Sequence, residues 1–357
     1  HFAYNFSNVV HDLVEGHILV FVDGDTVALA GSIRVAVHRA IEESPTEAVV
    51  RGPHEGFVEN VRTNISLIRK LLATPQLVTE NYPTGARGHN LNCVLYIEGI
   101  ANPKLVDEVR KRLTGIKSSM ATANSALTDF LRDSPWDPFP LVINTERPDK
   151  VANMLAEGYV AILNDAPNAL VMPANIWSLM QSSEDYYIGA VPATLLRCIR
   201  WLALFVTWYA SALFVAITTF HAEMIPTDLL FSLASAREGV PLPTFVEVLI
   251  METAFELIRE GGVRVPQIIG PTIGIVGAVI LGQAAVQANI VSPILVVVVA
   301  LSALGSFAIP SYELGLWARL MKIPMIFSAA LLGIPGLTLS TIILVTRLAS
   351  LRSFGVP

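Results

Sequence analysis

Two cysteines in 357 residues, Cys93 and Cys198, are too few for a disulfide framework or a cysteine zinc site. Charge is scarce too: Asp, Glu, Lys and Arg make up only 15% of the chain, against roughly 25% in an average soluble protein. The net charge of -6 supplies no basic footprint, which argues against a nucleic-acid partner. Of the histidines His1, His11, His17, His38, His54 and His89, no two stand at the i, i+4 spacing of a helical metal site with a Glu between them. No Ser, Cys or Thr stands in a nucleophile motif either. No enzyme activity, cofactor or metal is therefore expected. The opening Phe2-Ala3-Tyr4-Asn5-Phe6 has neither the basic nor the apolar region of a signal peptide. With His1 in place of Met and Arg352 to Pro357 running out as a tail, the chain reads as part of something longer.

What the sequence does have is apolar residues, 53% of the total, unevenly spread. About a fifth of residues before Thr194 are charged and about a tenth after it, so two parts are expected: 1–194, polar, and 195–357, apolar.

In the polar part the hydrophobic period changes every ten to fifteen residues, as helices and strands in alternation require. The pattern Val9 to Glu15, Gly16, then Ile18 to Val22 returns about 142 residues later as Val151 to Glu157, Gly158, then Tyr159 to Leu163. It predicts two related helix-Gly-strand sub-units, about 1–133 and 134–194; a glycine that merely stops a helix before a strand would give the same pattern. Between them, Glu47 to Phe57 and a helical segment from Val58 to Leu72 with Arg62, Arg69 and Lys70 allow either an anion cradle or a turn beside an ion-paired helix face. Cys93 to Ile97 predicts a strand and Pro103 to Leu113 a helix with proline in its first turn. Ser118 to Ala126 reads as a connector, and Ser134 to Pro140 as a proline-pinned turn.

In the apolar part, Trp201 to Ala222, Val265 to Tyr312 and Ile323 to Thr346 are charge-free and long enough for helices that cross a bilayer, which takes about 20 apolar residues each. The second is long enough for two spans, with Gln287-Ala288-Asn289 as the turn. Thr244 to Ile258 adds a further candidate, for about 4–6 membrane segments in all. Arg197 and Arg200 place the polar part in the cytoplasm, and Arg319, Lys322, Arg347 and Arg352 favour the same side. This needs an even number of crossings before Arg319, met if Thr244 to Ile258 also crosses, and an even number after it, met if Ile323 to Thr346 enters and returns, broken at Gly333-Ile334-Pro335-Gly336; a simple fifth span is the rival. Glu247, Glu252 and Glu256 are the candidate functional groups. Glu252, Glu256, Arg259 and Glu260 share a helical face, either lining a water-filled path or lying at the interface. Gly270, Gly274, Gly277 and Gly282 permit close helix packing. Gln283 and Gln287 form a polar stripe suited to gluing helices or lining a passage.

Several long strings, in order, resemble the GerA family of spore germinant receptor A subunits. They are Glu47-Ala48-Val49-Val50-Arg51-Gly52-Pro53-His54-Glu55-Gly56-Phe57, Tyr96-Ile97-Glu98-Gly99-Ile100-Ala101-Asn102-Pro103 and Asn144-Thr145-Glu146-Arg147-Pro148-Asp149-Lys150. In the apolar part they are Ala236-Arg237-Glu238-Gly239-Val240-Pro241, Glu256-Leu257-Ile258-Arg259-Glu260-Gly261-Gly262-Val263-Arg264 and Ser306-Phe307-Ala308-Ile309-Pro310-Ser311-Tyr312. The resemblance implies an α/β cytoplasmic region followed by an all-α multi-pass transmembrane bundle in the inner spore membrane. It further implies work with a permease-like B subunit and a lipoprotein C subunit, nutrient sensing, and homo-oligomers that form an ion channel. A solute permease or a non-conducting scaffold subunit are the alternatives.

Overall fold

The computed structural model describes residues 2–3, 17–24, 28–32, 40–44, 46–84, 90–116, 124–134, 137–264 and 270–356. The helix expected from Val9 to Glu15, most of the connector at 118–126 and part of the turn at 134–140 lie outside them. Three short strands, β1 (Phe2–Ala3), β2 (His17–Val20) and β3 (Ala28–Ser32), form one sheet in the order β1-β3-β2. The second sheet has the order β4-β5-β7-β8-β6, from β4 (Leu77–Thr84), β5 (Asn90–Ile97), β6 (Ile143–Thr145), β7 (Val160–Leu163) and β8 (Ala169–Met172).

Every described strand pair is antiparallel, with Val94 opposite Ile162 and Ala161 opposite Val171. β5 comes from before residue 133 and β7 from after it, so the two expected sub-units share this sheet. Helices α1 (Val61–Leu71), α2 (Pro103–Gly115), α3 (Asn124–Leu131) and α4 (Pro148–Ala156) surround it. Asn60 caps α1, its side-chain oxygen accepting the Arg62 and Thr63 amides at 3.0 and 3.1 Å, and Asn102 caps α2 in the same way. β7 and β8 are buried along their whole length, and burying each Val, Leu or Ile there contributes about 1.5–3 kcal/mol.

A short helix, α5 (Ile176–Leu179), and a 3₁₀ turn at Ser183–Tyr186 lead into α6 (Ala190–Phe220). α7 (Thr227–Arg237), α8 (Thr244–Arg264), α9 (Gly270–Gln287), α10 (Pro293–Phe307) and α11 (Tyr312–Ser350) complete the helical part. Among the described residues, α6 and α11 are long and apolar enough to cross a membrane, and α10 is apolar but shorter.

α11 is not one rod. Gly333 has φ 66° and ψ −141°, outside any helix, and the Ser328 hydroxyl donates to that of Ser340 at 2.9 Å. In a continuous helix those two residues are about 18 Å apart along the axis. The helix therefore folds back into a hairpin with arms at 312–332 and 334–350. At its tip, a Cβ on Gly333 would lie 2.8 Å from His221 and 3.0 Å from Phe220, so the turn tolerates no side chain.

Both feet of the hairpin rest on the α/β part. Trp317 meets Phe139 edge-on at 5.0 Å. Beyond the other arm, Arg347 pairs with Asp137 at 2.7 Å, the Ser353 hydroxyl donates to the Leu141 carbonyl at 2.7 Å, and the Phe354 amide donates to Asp133 at 2.7 Å. The fold-back expected for Ile323 to Thr346 thus has the form of a hairpin as deep as α6 itself.

The remaining helices alternate in direction. α10 runs against α6, with Thr207 beside Ser302 and Ala203 beside Gly305. α8 runs from Phe245, against Phe327, down to Arg259, beside Ser306. α9 returns, Gly277 facing Ile258 and Gly282 facing Val296, and residues 288–292 connect α9 to α10 where the turn at Gln287-Ala288-Asn289 is expected. Small residues let helices approach closely. Ala203, Thr207, Ser302 and Gly305 do so at the α6–α10 contact.

Candidate functional site

The three acidic residues singled out from the sequence all lie on α8, and the fold treats each differently. Glu247 is fully buried. It accepts the Ser292 amide at 3.0 Å, and Arg237 donates to it at 3.1 Å. Ser292 precedes the first residue of α10, so this carboxylate caps the positive end of a neighbouring helix.

Glu252 sits one and a half turns further along and is 8% exposed. The Ser211 hydroxyl of α6 donates to one of its oxygens at 2.6 Å, and the Lys322 ammonium of α11 to the other at 2.5 Å. Lys322 also reaches the Ser302 hydroxyl of α10 at 3.4 Å. Ser211 stands ten residues after Trp201 and nine before Phe220, so the cluster lies about 14–15 Å from either end of that stretch. That is the middle of the apolar stretch of α6.

Glu256 is half exposed, with Arg259 at 3.1 Å and Arg319 at 3.8 Å. Arg259 continues to Ser306 at 3.1 Å and lies over the Phe307 ring at 4.7 Å. Glu260 is exposed and pairs with Arg264. The shared face read from the sequence therefore turns from buried to exposed along its length.

Arg319 and Lys322 are both expected on the α/β side; Arg319 lies beside the half-exposed Glu256, whereas Lys322 reaches further into the bundle as the partner of Glu252. Spacing within α8 cannot reveal a counter-ion 70 residues away; the signal was a lysine standing alone beside a long apolar run. Arg197 and Arg200 do lie at the α/β end, both on the buried Asp185, at 3.1 and 2.7 Å. Burial opposes ionisation of Asp185, but the two guanidiniums outweigh it and hold its carboxyl below the usual range.

Gly277 and Gly282 pack α9 against α8 and α10 within the chain. Gly270 and Gly274 belong to the same helix, with surroundings outside the described residues. Gln283 and Gln287 are exposed on it.

At the foot of the bundle, three of the strings quoted above converge. Arg147, 2% exposed, makes a two-point contact with Asp149 at 3.0 and 2.9 Å and donates to the carbonyls of Glu47 and Pro53 at 3.1 and 2.9 Å. Glu47 takes Lys150 at 2.8 Å, the Thr145 hydroxyl and the Glu146 amide at 3.1 Å. Burial works against the Glu47 carboxylate, but the Lys150 charge and these donors hold its pKa below the usual range. The loop 47–57 is thus a strap fastened by ion pairs and hydrogen bonds. Pro310, Ser311, Tyr312 and Glu313 close over it around a 150 Å³ pocket shared with Thr46, Glu47 and Asn144. Among the described residues no group of three or more His, Cys, Asp or Glu could hold a metal ion.

An antiparallel α/β region on an apolar helical bundle with a buried charge cluster defines a two-part protein, one part polar and one apolar, with two helices, among the described residues, long and apolar enough to cross a membrane. The chain belongs to the GerA family: the Bacillus/Clostridium GerA spore germination protein family matches residues 2–357. It is 42% identical to spore germination protein KA of Bacillus subtilis (strain 168), over 99% of this chain and 65% of that protein. It is 40% identical to spore germination protein A1 of the same organism, over 98% of this chain and 73% of that one, and 42% identical to its uncharacterized membrane protein YfkQ, over 99% and 69%. The chain thus spans about two thirds to three quarters of the length of these relatives. Among solved structures, the N-terminal domain of the A subunit of the Bacillus megaterium spore germinant receptor GerK3 is 38% identical, covering 34% of this chain and 97% of that one, with a TM-score of 0.29.

Proposed function

We propose that this protein is an A subunit of a nutrient-sensing spore germinant receptor, set in the inner spore membrane with residues 1–194 cytoplasmic and 195–357 spanning the bilayer. In this reading it acts with a permease-like B subunit and a lipoprotein C subunit. Copies of it assemble around a path for monovalent cations that opens when the complex detects nutrient. The observation that carries the reading is Glu252, a carboxylate held at mid-depth among apolar helices. Ionisable groups at membrane depth are costly and face a bundle interior or a water-filled path, and carboxylates are common linings of cation channels.

Glu252 and Glu256 line or flank the path, and Glu247 fixes the start of α10 beside it. Gly270, Gly274, Gly277 and Gly282 set the helix approach, and Gln283 and Gln287 lie on the exposed side of α9, where a second copy can meet them. The topology is six alternating runs, the last two being the arms of the hairpin. Replacing Glu252 and Glu256 with Gln in the full-length receptor is expected to slow nutrient-triggered release of monovalent cations. Unchanged release at normal protein levels removes them from the path.

The break at Gly333 favours a second reading, a solute permease, since transporters build substrate sites from interrupted helices. Saturable uptake of radiolabelled nutrient by this subunit alone is its distinguishing result.

A further inference from the structure

Lys322 is more than a neutraliser. Its ammonium contacts the Glu252 carboxylate of α8 at 2.5 Å and the Ser302 hydroxyl of α10 at 3.4 Å, while Ser211 of α6 orients the carboxylate from behind at 2.6 Å. Two helices, α8 and α10, supply the oxygen atoms that face the ammonium, a third holds the carboxylate in place from its other oxygen, and the hairpin supplies the cation. Stability alone does not call for such an arrangement, because a buried ion pair replaced by apolar residues of like volume is often as stable or more so. A primary ammonium and a dehydrated monovalent metal ion carry the same charge, and hard oxygen ligands suit both.

The cation and its ligands also belong to different helices. Ser302 donates to the Thr207 carbonyl where α6 and α10 meet, and the hairpin packs on α6 through Trp317 on Trp208 and the Tyr209 hydroxyl on Thr341. Lys322 rides on the hairpin, with a non-helical break at Gly333 and both feet on the α/β part. Arg319, one turn earlier on the same arm, faces Glu256. A shift of that arm takes both cations off α8 together and leaves Arg259 as the partner of Glu256.

We propose that Lys322 is a tethered cation filling a monovalent-cation site made by Glu252 and Ser302, with Ser211 orienting the carboxylate, and that movement of the hairpin arm vacates the site for a diffusible ion. This rests on the cation-path reading above. The test uses the full-length subunit with its two partners in liposomes loaded with rubidium-86. Lys322→Gln is expected to raise nutrient-independent efflux at least tenfold over the wild type. In detergent the same variant is expected to bind one thallium(I) per chain, displaced by potassium, and the double variant Glu252→Gln/Lys322→Gln to bind none.

Normal triggered efflux with no rise at rest in Lys322→Gln overturns the tethered-cation proposal and leaves the channel reading standing. If the wild-type complex never conducts, the channel reading falls, and absence of potassium-displaced thallium in Lys322→Gln overturns the site as well. Should Lys322→Gln fail to accumulate, the exchange Glu252→Lys/Lys322→Glu keeps the pair and moves the positive charge onto the stationary helix. Triggered efflux is then expected to fall at least tenfold, and wild-type efflux from the exchanged protein overturns the proposal.

Discussion

Removing the guanidinium of Arg147 tests how the strap at 47–57 is held. Arg147→Met keeps the length of the side chain but leaves Asp149, only 3% exposed, without its two-point partner. The carbonyls of Glu47 and Pro53 lose their donors at the same time. Breaking a buried pair from one side costs about 3–5 kcal/mol, and the Tyr187 hydroxyl, 3.3 Å from Asp149, keeps the loss near the lower end. With about 1 kcal/mol more for each of the two carbonyls, the cost is on the order of 5 kcal/mol in all, and at about 1.4 kcal/mol per decade local opening rises more than a thousandfold. Hydrogen exchange of the full chain in detergent reads this directly at the Phe57 amide, which donates to the Glu146 carbonyl at 2.8 Å across the strap. The double variant Arg147→Met/Asp149→Leu removes both charges and leaves two unserved carbonyls, about 1 kcal/mol each, so protection should recover to within some tens-fold of the wild type. Exchange in Arg147→Met within threefold of the wild type refutes the reasoning. So does a double variant no better protected than the single.

The hairpin and the sheet each give a further test. With Cys198 replaced by Ser, cysteines introduced by Ser328→Cys and Ser340→Cys are expected to form a disulfide readily, whereas a straight α11 allows none; Gly333→Ala, forced into φ 66° against Phe220 and His221, should reduce that cross-linking and cost about 1–3 kcal/mol. In the sheet, hydrogen bonds from Arg110, Tyr82 and Tyr96 hold Glu80 down from 4.5 to about 2 against the opposing effect of burial. The depressed pKa means Glu80 stabilises the fold above about pH 4.5 and loses that effect as pH falls towards 2. The urea midpoint of the wild type should therefore drop more steeply between pH 5 and pH 3 than that of Glu80→Gln, and parallel curves would show that Glu80 contributes nothing.

Local chemistry was legible where it is strong. Pro103 at a helix start, the strand at Cys93 to Ile97, the turn after Gln287 and the break at Gly333 all follow from residues acting on their own neighbourhood. β4 escaped notice because Pro83 lies within it; as the edge strand of the sheet it can carry a proline without breaking a ladder. The antiparallel pairing of β5 with β7 is a long-range fact that alternating helices and strands do not reveal. The acids on α8 stood out because charge is rare in the apolar part. Their partners did not, since Lys322 and Arg319 at the mouth of an apolar run look like residues that belong at a membrane edge.

The contacts of Ser353 and Phe354 have a consequence for biogenesis. The Ala174 amide donates to the Ser353 hydroxyl at 2.9 Å across 179 residues, and Asp133 waits for Phe354 across 221. The α/β part therefore leaves the ribosome with one flank open, and that flank closes only after the last helix of the bundle has been made and the chain has turned back. Contacts of such span form late. A nascent chain stalled within the apolar part should accordingly expose Leu141 and Ala174, giving quality-control proteases a mark that separates a finished subunit from an unfinished one.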